Sequence, residues 1–171
     1  MLDVVPSRAV MEISSWLPEH KSGEKGISLN GRELSREIGT TQSGAHRVLH
    51  LSPGKWLIVS EEQTPARLAE RFTEELAAQS AVLIDMTDGV AVSSIRGPKA
   101  REVLSKGCGL DLHPTAFPVG RCARTRFAQL SVIVEHVDDA PHYRLYVARS
   151  CQRYLIDWVA DAAVEFQDSP E

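Results

Sequence analysis

The stretch Lys106-Gly107-Cys108-Gly109-Leu110-Asp111-Leu112-His113-Pro114 sets a thiol and an imidazole five positions apart, in a chain with three cysteines and six histidines. A cysteine becomes a nucleophile when a neighbouring base or positive charge favours its thiolate, and histidine is the residue type that does this. Nothing in the spacing makes Cys108 and His113 meet. The same residues also read as a helix stop. Lys106 suits the negative end of a helix dipole, and Gly107 can take the left-handed conformation that lets following amides reach back to open carbonyls. Cys108 would then pack back on the helix, with Leu110 and Leu112 as core anchors. The helix stop is the expectation.

Other groups carry weaker chemical signals. Glu135, His136, Asp138, Asp139 and His142 surround one turn and offer oxygen and nitrogen donors, but their spacing fits no established metal pattern. His46 and His50 would share an ion on a helix. Placed on a strand, they lie roughly 13 Å apart on one face. Gly97-Pro98 opens a helix, where free amides can meet an anion, yet no glycine-rich nucleotide motif accompanies it. Asp85 ends an apolar strand and is the one candidate ligand-binding carboxylate. Asp88, before Gly89, reads as a turn former. No Ser-His-Asp arrangement and no paired carboxylates stand out, so no catalytic residue and no metal site is expected.

These groups must be held by elements that the sequence punctuates clearly. Arg8–Ile13 reads as a strand, residues 14–28 as a loop, and Gly31–Ile38 as a short helix with Leu34 and Ile38 on one face. His46–Leu51 and Lys55–Ser60 flank Ser52-Pro53-Gly54, a type II turn signal, and predict a hairpin. Thr64 caps a helix opened by Pro65, with Leu68, Phe72 and Leu76 inward. Ala81–Met86, the turn at Asp88-Gly89 and Val90–Ile95 read as a second hairpin. A helix follows with Ala100, Val103 and Leu104 inside, ended by Gly107. Strands at Arg121–Phe127, Leu130–Val137 and His142–Val147 precede a last helix. Ser150 would cap that helix, and Tyr154, Leu155, Trp158, Val159 and Ala162 would share its face. Hairpins interspersed with helices predict an α+β fold with mostly antiparallel sheets.

A chain of 171 residues suits one domain, 1–171, or one built from two similar halves, about 1–95 and 96–171. The repeated order of hairpin and helix leaves a duplicated unit open. A net charge of −4 argues against broad nucleic-acid binding. Local basic patches remain open, and Arg121, Arg124 and Arg126 form one. Cys108, Cys122 and Cys151 are too few and too scattered for a disulfide framework. No signal peptide or membrane span is read, so a reducing cytoplasm is the expected compartment.

Four stretches then occur in order: LSPGKWLIV (51–59), DMTDGVAVSSIRGPKAREVLSKGCGLDLHP (85–114), FPVGRCARTRFAQLSVIV (117–134) and YRLYVARSCQRYLIDWVADAAVEF (143–166). Together they resemble the gamma subunits of heterotetrameric sarcosine oxidase, from about His46 to Phe166. The resemblance implies a subunit of an enzyme that oxidises sarcosine to glycine and passes the one-carbon unit to tetrahydrofolate. It implies the fold of the folate-binding domain of glycine-cleavage aminomethyltransferases, a duplicated α+β unit with exchanged strands. It also implies that FAD, FMN, NAD, zinc and tetrahydrofolate belong to partner subunits. The gamma chain is then a non-catalytic member packed among alpha, beta and delta subunits, most directly against alpha. Trp16 and Trp56, with Arg121, Arg124 and Arg126, are the candidate partner contacts, since Trp and Arg are enriched at hot spots. A free-standing folate-binding one-carbon protein, with Asp85 gripping the pterin, is the alternative.

Overall fold

The computed structural model describes residues 2–16 and 26–166. In chain order the strands are β1 (Leu2–Val4), β2 (Ala9–Ser15), β3 (Ser28–Leu29), β4 (Arg32–Glu33), β5 (Thr41–Gln42), β6 (Arg47–Ser52) and β7 (Lys55–Ser60). Helix α1 (Pro65–Ala77) follows, then β8 (Ala81–Asp85), β9 (Val90–Arg96) and α2 (Ala100–Ser105). The chain closes with β10 (Cys122–Phe127), β11 (Leu130–Asp138), β12 (His142–Ala148) and α3 (Gln152–Ala163), the last helix lying between short 3-10 turns at Arg149–Cys151 and Val164–Phe166. The protein is α+β, and every strand pairing is antiparallel. It divides into two compact units, one of residues 6–88 and one of residues 1–5 with 89–171.

In the unit of residues 6–88 the sheet order is β5-β6-β7-β2-β8. Gly54 makes the β6–β7 turn at φ +67°, and a Cβ there would run into the Ser15 carbonyl, so glycine is required twice over. Thr64 Oγ1 accepts the Arg67 amide at 3.5 Å and Pro65 opens α1. Leu68, Phe72 and Leu76 are fully buried against Ala9, Met11, Ile13, Trp56 and Ile58. Each such side chain stabilises the fold by roughly 1.5–3 kcal/mol.

Three expectations fail in this unit. Residues 31–38 do not form a helix. Asn30 (φ +50°) and Gly31 (φ +72°) instead make a tight hairpin joining β3 to β4, because Asn-Gly favours the positive φ pair of a type I′ turn. Leu34 goes into the core while Ile38 is 46% exposed, so the four-residue spacing is not a helical face. Ser14 and Ser15 belong to β2 rather than to a loop, since both pair with β8. Finally, β8 and β9 do not form a hairpin. The strand β8 pairs with β2, β9 pairs with β1 and β12, and Asp88-Gly89 is where one unit ends and the other resumes.

The second unit carries the sheet β1-β9-β12-β11-β10. Side chains alternate across a strand, so Tyr143, Leu145 and Val147 face a core with Val132, Val134, Ile95 and Phe127, closed by Val103 and Leu104 of α2 and Leu155 and Val159 of α3. Gly107 ends α2 but not in the left-handed conformation. Its role is room: a Cβ there would stand 2.6 Å from the Trp158 ring. The amides of Gly107 and Cys108 both reach back to the Leu104 carbonyl. Ser150 does not cap α3. It lies inside the preceding 3-10 turn, and Cys151 takes the cap position without a side-chain bond. Tyr154 departs from the expected stripe and is 43% exposed.

Candidate functional site

Residues on β12 that alternate away from the core are polar, and they are buried. His142, Arg144 and Tyr146 lie opposite Arg96, Ser94 and Val92 of β9, and Arg144 also lies opposite Glu135 of β11. Glu135, Ser93 and Ser94 are all but inaccessible, and His142 and Arg144 nearly so. Burying such groups costs several kcal/mol each unless they are hydrogen-bonded, and most of them are. The Tyr146 hydroxyl donates to Glu135 Oε2 at 2.5 Å. His136 Nδ1 is 2.8 Å from the Phe117 carbonyl, and its ring stacks on Tyr143 at 4.7 Å. The register of β9 and β12 sets Ser94 Oγ 2.9 Å from His142 Nε2, while His142 Nδ1 is 2.8 Å from Asp138 Oδ2.

That last chain is a Ser-His-Asp line, which sequence reasoning did not find. Its members come from three strands, β9, β11 and β12, with Asp138 just past a β-bulge in β11, and only the pairing register brings them together. Its proton order follows from the donors. Arg96 Nε can only donate, and it donates to Ser94 Oγ at 3.2 Å. Asp138 as a carboxylate can only accept, so Nδ1 is the donor to it; in the neutral ring Nε2 is then the acceptor, and the Ser94 hydroxyl donates to it while accepting from Arg96. The line matches the connectivity of a nucleophile, base and orienting acid, but Ser94 is 1% exposed and sits mid-strand between β1 and β12. Its neighbouring amides serve the sheet, so no carbonyl carbon can reach it and nothing forms an oxyanion hole. The geometry is that of a structural polar clamp, buried at Ser94 and His142 and open to solvent at Asp138.

The other expected groups are dispersed. Cys108 is 7% exposed and packed in the core, while the His113 ring engages Thr115 Oγ1 at 2.7 Å. All three cysteines are free thiols. Glu135, His136, Asp138 and His142 make the separate contacts just described, Asp139 is exposed, and no three metal-ligating side chains converge among the described residues. Gly97 donates its amide to the Pro141 carbonyl. Asp85 is exposed, and its Oδ1 accepts the Thr87 amide at 2.9 Å, shaping the turn that leaves β8.

His46 stands just outside β6, edge-on to Phe72 with 5.9 Å between ring centroids. Both its ring nitrogens are buried without a hydrogen-bond partner. Burial first, and the Arg71 charge second, hold it below the ordinary histidine value of 6.5, against a smaller opposing pull from Glu62. His50 stacks on Trp56 at 4.7 Å.

Of the candidate partner contacts, Trp16 is 66% exposed, and Arg124 and Arg126 are exposed on one face of the edge strand β10. Arg126 donates to Gln129 Oε1 at 3.3 Å, and Arg121 is half-buried. Trp56 is 4% exposed in the α1 core, its indole donating to the Ser35 carbonyl at 3.0 Å.

Residues 27–165 match the family described as "Sarcosine oxidase, gamma subunit family". The sarcosine oxidase subunit gamma of Corynebacterium sp. (strain P-1) is 30% identical over 142 residues, covering 82% of this chain and 68% of that one. The subunit gamma of an Arthrobacter sp is 30% identical over 138 residues, covering 80% and 66%. The chain thus spans about two thirds of the length of these curated relatives. A chain of the heterotetrameric sarcosine oxidase from Corynebacterium sp. U-96, solved with pyrrole 2-carboxylate, superposes with a TM-score of 0.85 at 25% identity over 100% of this chain and 87% of that one. Glycine cleavage system aminomethyltransferase T from Bartonella henselae superposes with a TM-score of 0.64 at 12% identity over 92% of this chain and 44% of that one, a likeness of fold. By sequence over most of its length, and by a fold that extends the match to the whole chain, the protein belongs to the sarcosine oxidase gamma subunit family.

Proposed function

We propose that this chain is a non-catalytic subunit of a heterotetrameric enzyme that oxidises sarcosine to glycine and passes the one-carbon unit to tetrahydrofolate. The observation that carries the reading is the superposition of the whole chain on a chain of such an assembly. FAD, FMN, NAD, zinc and tetrahydrofolate belong to the alpha, beta and delta partners, with alpha the most direct neighbour. The polar groups of this chain suit that division of labour. Ser94 and His142 are buried and only Asp138, at the end of their line, reaches solvent; Cys108 is packed, and Asp85 is bonded to its own turn. Three free thiols fit the cytoplasm, and no helix among the described residues is long and apolar enough to cross a membrane.

Affinity capture of the tagged chain from its native host tests the reading. The expected eluate contains larger subunits with a flavin spectrum that sarcosine bleaches. A colourless chain eluting alone, which binds a reduced folate in calorimetry and loses that binding in Asp85→Ala, would replace it with the free-standing folate reading.

A further inference from the structure

The outer edge of β8 is built to take another strand. The Met86 amide donates to Val10 and the Trp16 amide to Ser80. In an antiparallel pair, hydrogen-bonded positions alternate, so Ser80, Val82, Ile84 and Met86 turn their backbone groups toward β2. Those of Ala81, Leu83 and Asp85 point outward, where no further strand follows in the sheet among the described residues. The side chains agree. Val82 and Ile84, opposite Ser14 and Glu12, are 43% and 41% exposed, and Trp16 continues the same face at 66%.

Natural sheets protect their edges with short strands, bulges or charged residues. The other edges of this protein follow that practice: β5 has two residues, β1 has three, and β10 carries the exposed Arg124 and Arg126. Strand β8 has five residues, is regular, and bears no charge before Asp85.

We infer that β8 is a strand-addition edge, occupied by an extended segment of another subunit of the sarcosine oxidase assembly. The segment bonds to the backbone of Ala81, Leu83 and Asp85 and places apolar side chains, at alternate positions, over Val82, Ile84 and Trp16. The inference rests on the subunit reading, which supplies a partner of different sequence rather than a second copy of this chain.

The test uses the co-expressed complex. Hydrogen exchange should slow by at least tenfold at Ala81, Leu83 and Asp85 on assembly, with little change at Val82 and Ile84, which already bond to β2. The double variant Val82→Lys/Ile84→Lys should fold as a monomer with an unchanged far-ultraviolet spectrum, yet enter the complex at least tenfold less well than wild type. Tyr154→Lys, an exposed apolar site on the other unit, should enter normally. Full incorporation of the double variant, or unchanged exchange at the three outward amides in an assembled complex, would overturn the edge inference and leave the subunit reading standing. Edge protection that appears only with self-association of the isolated chain would assign the edge to a second copy. A wild-type chain that joins no other subunit would remove both readings.

Discussion

At the scale of single residues, burial decides what each polar group does. His46 takes up a proton less readily in the fold than in the unfolded chain, because its ring nitrogens are buried unpaired and, secondarily, because of the Arg71 charge. The unfolded chain binds a proton near the ordinary value of 6.5, and the folded chain only below it. The unfolded state therefore holds more protons in that window, and stability falls as pH drops through 6.5 toward the lower folded value. Above that window His46 adds no pH dependence. The variant His46→Phe should gain on wild type as pH is lowered from 7 to 5 in urea titrations, and a pH-independent difference would contradict neutral burial. Ser94→Ala should cost about 1–3 kcal/mol by stranding the hydrogen-bonding capacity of His142. Wild-type protein should also resist a serine-directed fluorophosphonate, which would label an accessible nucleophile. Cys108→Ser should leave an assembled complex at full turnover with only a modest loss of thermal stability, because the thiol packs and does not react.

At the scale of elements, the sequence was most legible where one residue type has one structural meaning. Thr64-Pro65 opens α1 and Pro53-Gly54 turns β6 into β7, as their fixed φ preferences require. Asn30-Gly31 carries the same kind of signal, but the four-residue spacing of Leu34 and Ile38 imitates a helix. Replacing Gly31 (φ +72°) by Ala should cost roughly 1 kcal/mol through strain alone, since a Cβ there meets nothing within 4 Å. Gly107→Ala should cost about 1–3 kcal/mol for the opposite reason, overpacking against Trp158. Thermal or urea melts of the two variants separate backbone strain from crowding, because trimming Trp158 should rescue only the second. Long-range pairing was not legible. The alternation in Ala81–Asp85 and Val90–Arg96 marks two strands, but nothing local says that they serve different sheets. The Ser94–His142–Asp138 clamp was hidden for the same reason, since its members meet through the β9–β12 register.

For the whole molecule, the fold class was readable because hairpins and helices alternate along the chain, and the family was readable from four ordered stretches. Which of the candidate contacts reach the surface was not, because exposure depends on which residues the sheets turn inward. Trp56 and Trp16 are the same residue type, yet one is 4% and the other 66% exposed. In the strand order β1-β9-β12, Leu2 lies opposite Ile95, so β1, which precedes residues 6–88 in sequence, completes the sheet of residues 89–166. During vectorial synthesis β1 leaves the ribosome long before its partner exists. At translation rates of about 5–20 residues per second, it waits roughly 5–20 s without a template. The unit of residues 6–88 has all its strands early and can fold while the rest is made, whereas the other unit closes only when β9 and β12 have emerged. A nascent-chain protease pulse should therefore find β1 cleavable after α1 is already protected, and the last act of folding joins an early strand to ones made much later.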